Sequence, residues 1–211
     1  MAEYSLADSL KFAITIFSIL NPLGALPMFL TLTFGRSHKG IKHISTTCAV
    51  TVFITAIISL FLGEIILKFF GISISSFRIG GGILLATMAF SMLYAKQQQT
   101  KLSKEEIAYQ ESEDTIGIVP LAIPLLAGPG TISTTIVYAS EFTTPWHWIG
   151  AVIALAILSV IIKYVLQFSE QIGKRIGPIG LNVLTRIMGL ITMAIAVEFI
   201  VKGIKNFFPS L

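Results

Sequence analysis

The sequence predicts an all-α polytopic membrane protein: six transmembrane helices arranged as two inverted three-helix repeats, with helices one and four broken. Three observations lead there. Of 211 residues, 54% are hydrophobic and only 12% charged, at a mean hydropathy of +0.83. The apolar residues fall in six continuous runs. Two of those runs, at matching places in the two halves, are interrupted by paired prolines.

A soluble domain carries about 25% charged residues, so this chain cannot cover a water-facing surface. A helix needs about 20 apolar residues to cross the hydrocarbon core, which is roughly 30 Å thick. The runs are long enough and are joined by short loops. A β-barrel is excluded, because its strands alternate apolar and polar residues. The net charge of +4 does not mark a nucleic-acid partner, since the cations sit mostly between apolar runs. Cys48 is the one cysteine, so no internal disulfide forms. The N-terminus lacks a basic n-region, and no cleavable signal is expected.

The first run covers 9–34 and is interrupted at Asn21-Pro22-Leu23-Gly24-Ala25-Leu26-Pro27. The second covers 44–67 and the third 76–95. A polar connector occupies 96–114. The fourth run, 116–140, is interrupted at Pro124-Leu125-Leu126-Ala127-Gly128-Pro129-Gly130. The fifth, 146–168, opens with Trp146 and Trp148 as interfacial anchors. The sixth covers 182–201. The chain reads as a single membrane domain, 1–211, with repeat one over 8–95, a cytoplasmic connector over 96–114 and repeat two over 115–205.

Lys and Arg counts set the orientation. One side collects Arg36, Lys39, Lys42, Lys96, Lys101, Lys104, Lys174 and Arg175. The side carrying both termini collects only Lys11, Lys68, Lys202 and Lys205. The positive-inside rule places the richer side in the cytoplasm. Both termini are then periplasmic in a Gram-negative inner membrane.

The halves also resemble each other. Pro22-Leu23-Gly24-Ala25-Leu26-Pro27 matches Pro124-Leu125-Leu126-Ala127-Gly128-Pro129, and Arg78-Ile79-Gly80-Gly81 matches Arg186-Ile187-Met188-Gly189 in the same order. Three crossings per half force the second half to enter upside down, the plan of many secondary transporters.

Two prolines so close cannot sit in an undisturbed helix, because each removes an N–H donor and clashes with the preceding turn. Freed backbone groups are tolerated at membrane depth only against protein or a wet cavity. Asn21 offers an amide, and Thr31, Thr131, Ser133 and Thr134 offer hydroxyls. Gly24, Gly128 and Gly130 permit close approach of backbone or ligand. Two such breaks brought together would suit a zwitterion, with helix N-termini for its carboxylate and exposed carbonyls for its ammonium. The bland alternative is a packing kink. The candidate substrate-binding residues are therefore Asn21, Pro22, Gly24, Pro27, Gly128, Pro129, Gly130, Thr131 and Ser133, with Arg78 and Arg186. Either arginine can fork a carboxylate or snorkel from a helix end.

Glu198 and Glu64 are candidate proton carriers, but Lys202 and Lys68 follow them at ion-pair spacing. Glu198 is kept as a weak coupling candidate. Gly80-Gly81-Gly82 and Gly189 read as close helix packing. His38, His43 and His147 form no cluster with Cys48, so no metal site or other cofactor is expected. No serine sits in a nucleophile motif, and an enzyme is not expected.

At these motifs the chain resembles the MarC family of bacterial integral membrane proteins. The resemblance rests on Asn21-Pro22-Leu23-Gly24 with Pro27, and on Phe70-Gly71-Ile72-Ser73-Ile74 leading to Phe77-Arg78-Ile79-Gly80-Gly81-Gly82. It also rests on Val119-Pro120-Leu121-Ala122-Ile123-Pro124, Ala127-Gly128-Pro129-Gly130 and Arg186-Ile187-Met188-Gly189-Leu190. The likeness covers nearly the whole chain and is strongest to enterobacterial inner-membrane members. It implies six crossings and an inner-membrane location. The family includes a proton-coupled transporter of small neutral amino acids, which makes glycine- or alanine-class transport the expected function. The alternatives are a channel-like pore for small solutes, an exporter of another small metabolite and a non-transporting scaffold. The expected partners are the lipid bilayer and a small-molecule substrate, and homo-oligomer formation stays open.

Overall fold

The computed structural model describes residues 6–94 and 113–208, so nearly all of the connector expected over 96–114 lies outside the described residues. Every regular element in them is helical. Helix α1 is Leu6–Leu20, α2 Leu26–Leu32, α3 His38–Phe69 and α4 Ile74–Leu93. A short α5, Glu113–Ile116, leads into a π-helical segment, π1, Gly117–Leu126. Then come α6, Pro129–Ala139, α7, Pro145–Gln167, and α8, Ser169–Phe207.

Among the described residues, α3, α4, α7 and α8 are each long and apolar enough to cross a membrane. With 32 residues, α3 is about 48 Å long and must project beyond the hydrocarbon. Its start is set by Ser37, whose side chain accepts from the Gly40 N–H at 3.2 Å. Ser73 caps α4 in the same way.

The packing is that of a bundle in lipid. On α3 the buried face carries Cys48, Val52, Ala56, Ser59 and Gly63, while Ile54, Ile58, Phe61 and Ile65 point outward. Small residues inside let backbones approach, and large apolar residues outside meet acyl chains. In water such a surface would be a liability. α7 repeats the pattern, with Ala151 and Ala154 inside and Ile149, Ile153 and Ile157 outside. Of the two expected tryptophan anchors, Trp146 is exposed, whereas Trp148 is half-buried and stacks on Phe61 at 5.3 Å.

The interruptions fall where the prolines put them. Asn21 takes a left-handed conformation (φ 42°) after α1, and its Oδ1 accepts from the Gly24 N–H at 3.2 Å. Asparagine tolerates that region better than most residues. In the second half, Val119 and Ile123 are extended inside π1, because each precedes a proline, whose ring disfavours helical backbone in its neighbour. Pro27 and Pro129 each stand in the first turn of the following helix, where a missing N–H costs nothing. The sixth apolar run is part of a longer helix than expected. α8 begins at Ser169 and kinks at Gly177 (φ 70°), just before Pro178.

Among the described residues the most extensive helix pairing is that of α4 with α8. Gly82 faces Ile200 and Ala196, Gly189 faces Met92 and Ala89, and Gly203 faces Ile79 and Ser75. Residue numbers fall on one helix as they rise on the other, so the two run antiparallel.

Candidate functional site

Hydroxyl groups near the second break are satisfied locally. Thr131 donates to the Leu126 carbonyl across the break at 2.8 Å. Ser133 and Thr134 both donate to Gly130, at 3.2 and 2.8 Å. The residues around the two breaks share one apolar cluster, with Leu20, Ala25 and Leu26 from the first and Leu121, Ala122, Leu126 and Ala127 from the second. Pro22 and Gly128 are buried, and Asn21, Gly24 and Pro27 are half-buried. Pro129 is exposed, while Gly130 is buried against Leu85, Met88 and Ile19. The structure thus brings the broken stretches into a common apolar core.

Polar groups gather elsewhere. A cavity of ≈ 240 Å³ opens where α1, α4, the end of α6 and α8 meet, and its polar wall is Thr15, Arg78, Tyr138, Glu141, Glu198 and Lys202. Arg78 is buried, with only 3% of its surface exposed. Its Nη2 donates to Glu141 Oε1 at 2.7 Å, and its buried Nε has no hydrogen-bond partner among the described residues. An unpaired buried N–H of a charged group is costly, so the geometry leaves a donor waiting for an acceptor. Glu141 is half exposed. Thr15 Oγ1 and Tyr138 OH lie 3.0 Å apart, and Phe12 holds the Tyr138 ring edge-on at 5.3 Å. Lys202 Nζ stands 3.2 Å from Glu198 Oε1, as the i,i+4 spacing predicts, and Lys68 pairs with Glu64 at 2.8 Å. Two cations and two acids make the wall formally neutral and bipolar.

The cavity lies toward the end of the bundle that holds the start of α1, where Phe12 meets Phe142 and the His147 ring lies 3.8 Å from Asp8. One apolar layer separates it from the second break. Val137 and Phe199 line the cavity and cluster with Ile19, Leu85 and Ala196, and Ile19 and Leu85 in turn touch Gly130.

Of the sequence-derived candidates, Arg78 and Glu198 line this cavity, and none of the break residues does. The two matched arginines part company: Arg78 is buried, and Arg186 is exposed on α8. Sequence reasoning missed Glu141, Thr15 and Tyr138. One signal was present, because Glu141 is the sole acid between Asp114 and Glu170. Among the described residues, no three His, Cys, Asp or Glu side chains come together to hold a metal ion.

A helical bundle with an apolar exterior, which among the described residues buries a single charged side chain, Arg78, is a polytopic integral membrane protein. The chain belongs to the MarC family of integral membrane proteins, whose model it matches over residues 6–208. It is 41% identical to the UPF0056 membrane protein YhcE of Escherichia coli K12 over 201 residues, 95% of this chain and 94% of that one. A UPF0056 membrane protein of Methanocaldococcus jannaschii is 41% identical over 193 residues, covering 91% and 93% of the two chains. YvbG of Bacillus subtilis is 34% identical over 199 residues, 94% of each. No solved structure matches.

Proposed function

We propose that this protein is a secondary transporter of small neutral amino acids, of the glycine and alanine class, coupled to protons and working by alternating access. The observation that carries the reading is the bipolar cavity built on buried Arg78 within an apolar bundle. An arginine fork holds a carboxylate, and Glu141 and Glu198 stand where an ammonium group would complete a zwitterion's contacts. The volume, ≈ 240 Å³, falls below the roughly 300–1,000 Å³ of pockets for drug-sized ligands. The cargo is therefore small.

On this reading the chain crosses the inner membrane six times, with α1–α2 and π1–α6 as the two interrupted crossings. The halves are inverted repeats with both termini periplasmic. The antiparallel α4–α8 pair, each helix closing its own half, supports that symmetry. So do the prolines that restart a helix after each break. The layer of Ile19, Leu85, Val137, Ala196 and Phe199 is the thin gate. Its opening would join the cavity to backbone groups at Asn21–Pro27 and Gly128–Ser133 and let the cargo pass. An apolar core at the breaks would equally suit a non-transporting scaffold, and transport separates the two.

Proteoliposomes should accumulate labelled glycine or alanine when a proton gradient is imposed, which also excludes a channel. The variants Gly128→Leu, Pro129→Ala and Arg78→Gln should insert normally and lose uptake. Absence of movement in either direction, with or without the gradient, would end the reading.

A further inference from the structure

We infer that the end of the bundle opposite the cavity is a docking surface for an anionic phospholipid. The start of α3 and the first segment of α8 hold the phosphodiester headgroup, and Phe34 inserts beside the acyl chains. The inference uses none of the cavity residues and does not depend on the transporter reading.

The fold assembles this surface from separate parts of the sequence. Leu30 of α2 packs on Gly173 of α8, where an added Cβ would come within 3.2 Å of Leu30 Cδ1. His38, the first residue of α3, lies within electrostatic reach of Glu170. Between α2 and α3 the chain makes a fixed turn. Arg36 N–H donates to the Thr33 carbonyl at 3.0 Å, and Thr33 Oγ1 donates to the Phe29 carbonyl at 2.8 Å. Gly35, at φ 76°, turns the backbone there, and Phe34 projects with 92% of its surface exposed. In α8 the kink at Gly177 sets residues 169–176 apart from the rest of the helix, and Ile179 just beyond it is 81% exposed.

The acids of this end are occupied. Glu170 holds Lys174 at 2.6 Å, and Asp114 of α5 holds His43 at 2.6 Å. Lys39, Lys42 and Arg175 are exposed and have no acidic partner among the described residues. They stand beside the N-terminal end of α3, whose dipole adds to their positive potential. At the opposite end Lys68 and Lys202 each hold an acid one turn away. Uncompensated cations call for an anion. Phe34 and Ile179, projecting at the same end, call for hydrocarbon, since such residues are a liability in water. An anionic lipid supplies both in one molecule, whereas a water-soluble phosphate supplies only the first. Each cation near an anionic headgroup strengthens the attraction about fivefold.

The test is thermal unfolding of the full chain in detergent, titrated with phosphatidylglycerol, phosphatidylcholine or inorganic phosphate. Phosphatidylglycerol should raise the Tm with a midpoint about a hundredfold below that of phosphatidylcholine, and added salt should narrow the gap. Inorganic phosphate should leave the Tm unchanged. The combined variant Lys39→Gln, Lys42→Gln, Arg175→Gln should need as much of one lipid as of the other. Lys11→Gln with Lys205→Gln, at the opposite end, should behave as wild type. Phe34→Ser should weaken the effect of both lipids about tenfold and keep the salt dependence. If the combined variant does not fold, the salt dependence of the wild type decides. Equal midpoints for the two lipids, a gap that salt does not narrow, or a combined variant that keeps the gap would overturn the inference. Stabilisation by inorganic phosphate would overturn it in favour of a water-soluble ligand, and a silent Phe34→Ser would overturn the insertion.

Discussion

Two glycines on one helix, two residues apart, should respond to the same substitution with opposite signs. A Cβ added at Gly82 would lie 2.7 Å from Ile200 Cγ1, 2.9 Å from the Ala196 carbonyl oxygen and 3.2 Å from the Ile200 nitrogen. Two of these neighbours are backbone of α8, which cannot rotate away, so the α4–α8 seam must open. Overpacking of this kind costs about 1–3 kcal/mol, and the intrinsic helix preference of alanine over glycine returns about 1 kcal/mol. Since the obstacles are backbone, the upper part of the range applies, and the net loss is about 1–2 kcal/mol. At Gly80 a Cβ meets nothing within 4 Å, so only the helix preference acts, a gain approaching 1 kcal/mol. For a chain of this size each kcal/mol moves the melting temperature by about 2–4 °C. Thermal unfolding in detergent should therefore place Gly82→Ala about 2–8 °C below wild type and Gly80→Ala about 2–4 °C above it. Equal shifts, or a stabilised Gly82→Ala, would refute the seam geometry. Because Arg78 lies one turn before Gly82 and Glu198 lies on the facing helix, Gly82→Ala should also weaken glycine binding, which Gly80→Ala should leave unchanged.

The first break and the α4 cap give two further tests by the same melting assay. A Cβ at Gly24 would collide with Asn21 Nδ2, so Gly24→Ala must swing the amide away and lose its bond to the Gly24 N–H, a cost of about 1 kcal/mol. Asn21→Val should cost about 1–2 kcal/mol, because a β-branched residue is forced to φ 42°, while Asn21→Gly should avoid that strain; equal losses would count against the left-handed turn. Ser73→Ala removes the side chain that accepts from the Ser76 N–H at 3.1 Å, for about 1 kcal/mol, and Ser73→Asp should restore it. A silent Ser73→Ala would mean that α4 is held by packing alone.

The helices were legible because lipid imposes one rule, continuous apolar runs of crossing length, and α4 and α7 match their runs to within two residues, while α3 starts at His38, six residues before its apolar run. The breaks were legible for an equally local reason, since proline acts on its own residue and the one before it, as Val119 and Ile123 show. The extent of α8 was less so. Residues 169–176 are polar enough to read as a loop, and only Gly177, free to adopt φ 70°, lets the chain turn before Pro178 and continue. The local pairing of the hydroxyls at the second break was not legible at all. Hydroxyls at Thr131, Ser133 and Thr134 look available in a sequence, yet Ser133 and Thr134 donate to a carbonyl one turn back and Thr131 donates across the break to Leu126, and that choice depends on what packs outside.

Arg78 and Arg186 show where pattern stops and tertiary contact begins. They occupy equivalent motifs, and an arginine near a helix end is as easily a snorkelling surface group as a buried one. What separates them is a partner 63 residues away in the chain, Glu141, together with the α8 wall that closes over Arg78. Burying a guanidinium without an acid would be prohibitive, so the position of Glu141 just after α6 is what permits Arg78 to be internal. Periodicity carries no trace of such a pair, because its members lie on separate elements and answer to no common spacing. The lone acid amid a long neutral stretch is the residual signal: an acid without local cations has to find its counter-charge across the fold. Applied to the second half, that reasoning leads from Glu141 to Arg78, the one deeply buried cation among the described residues, and so to the cavity, without passing through the breaks.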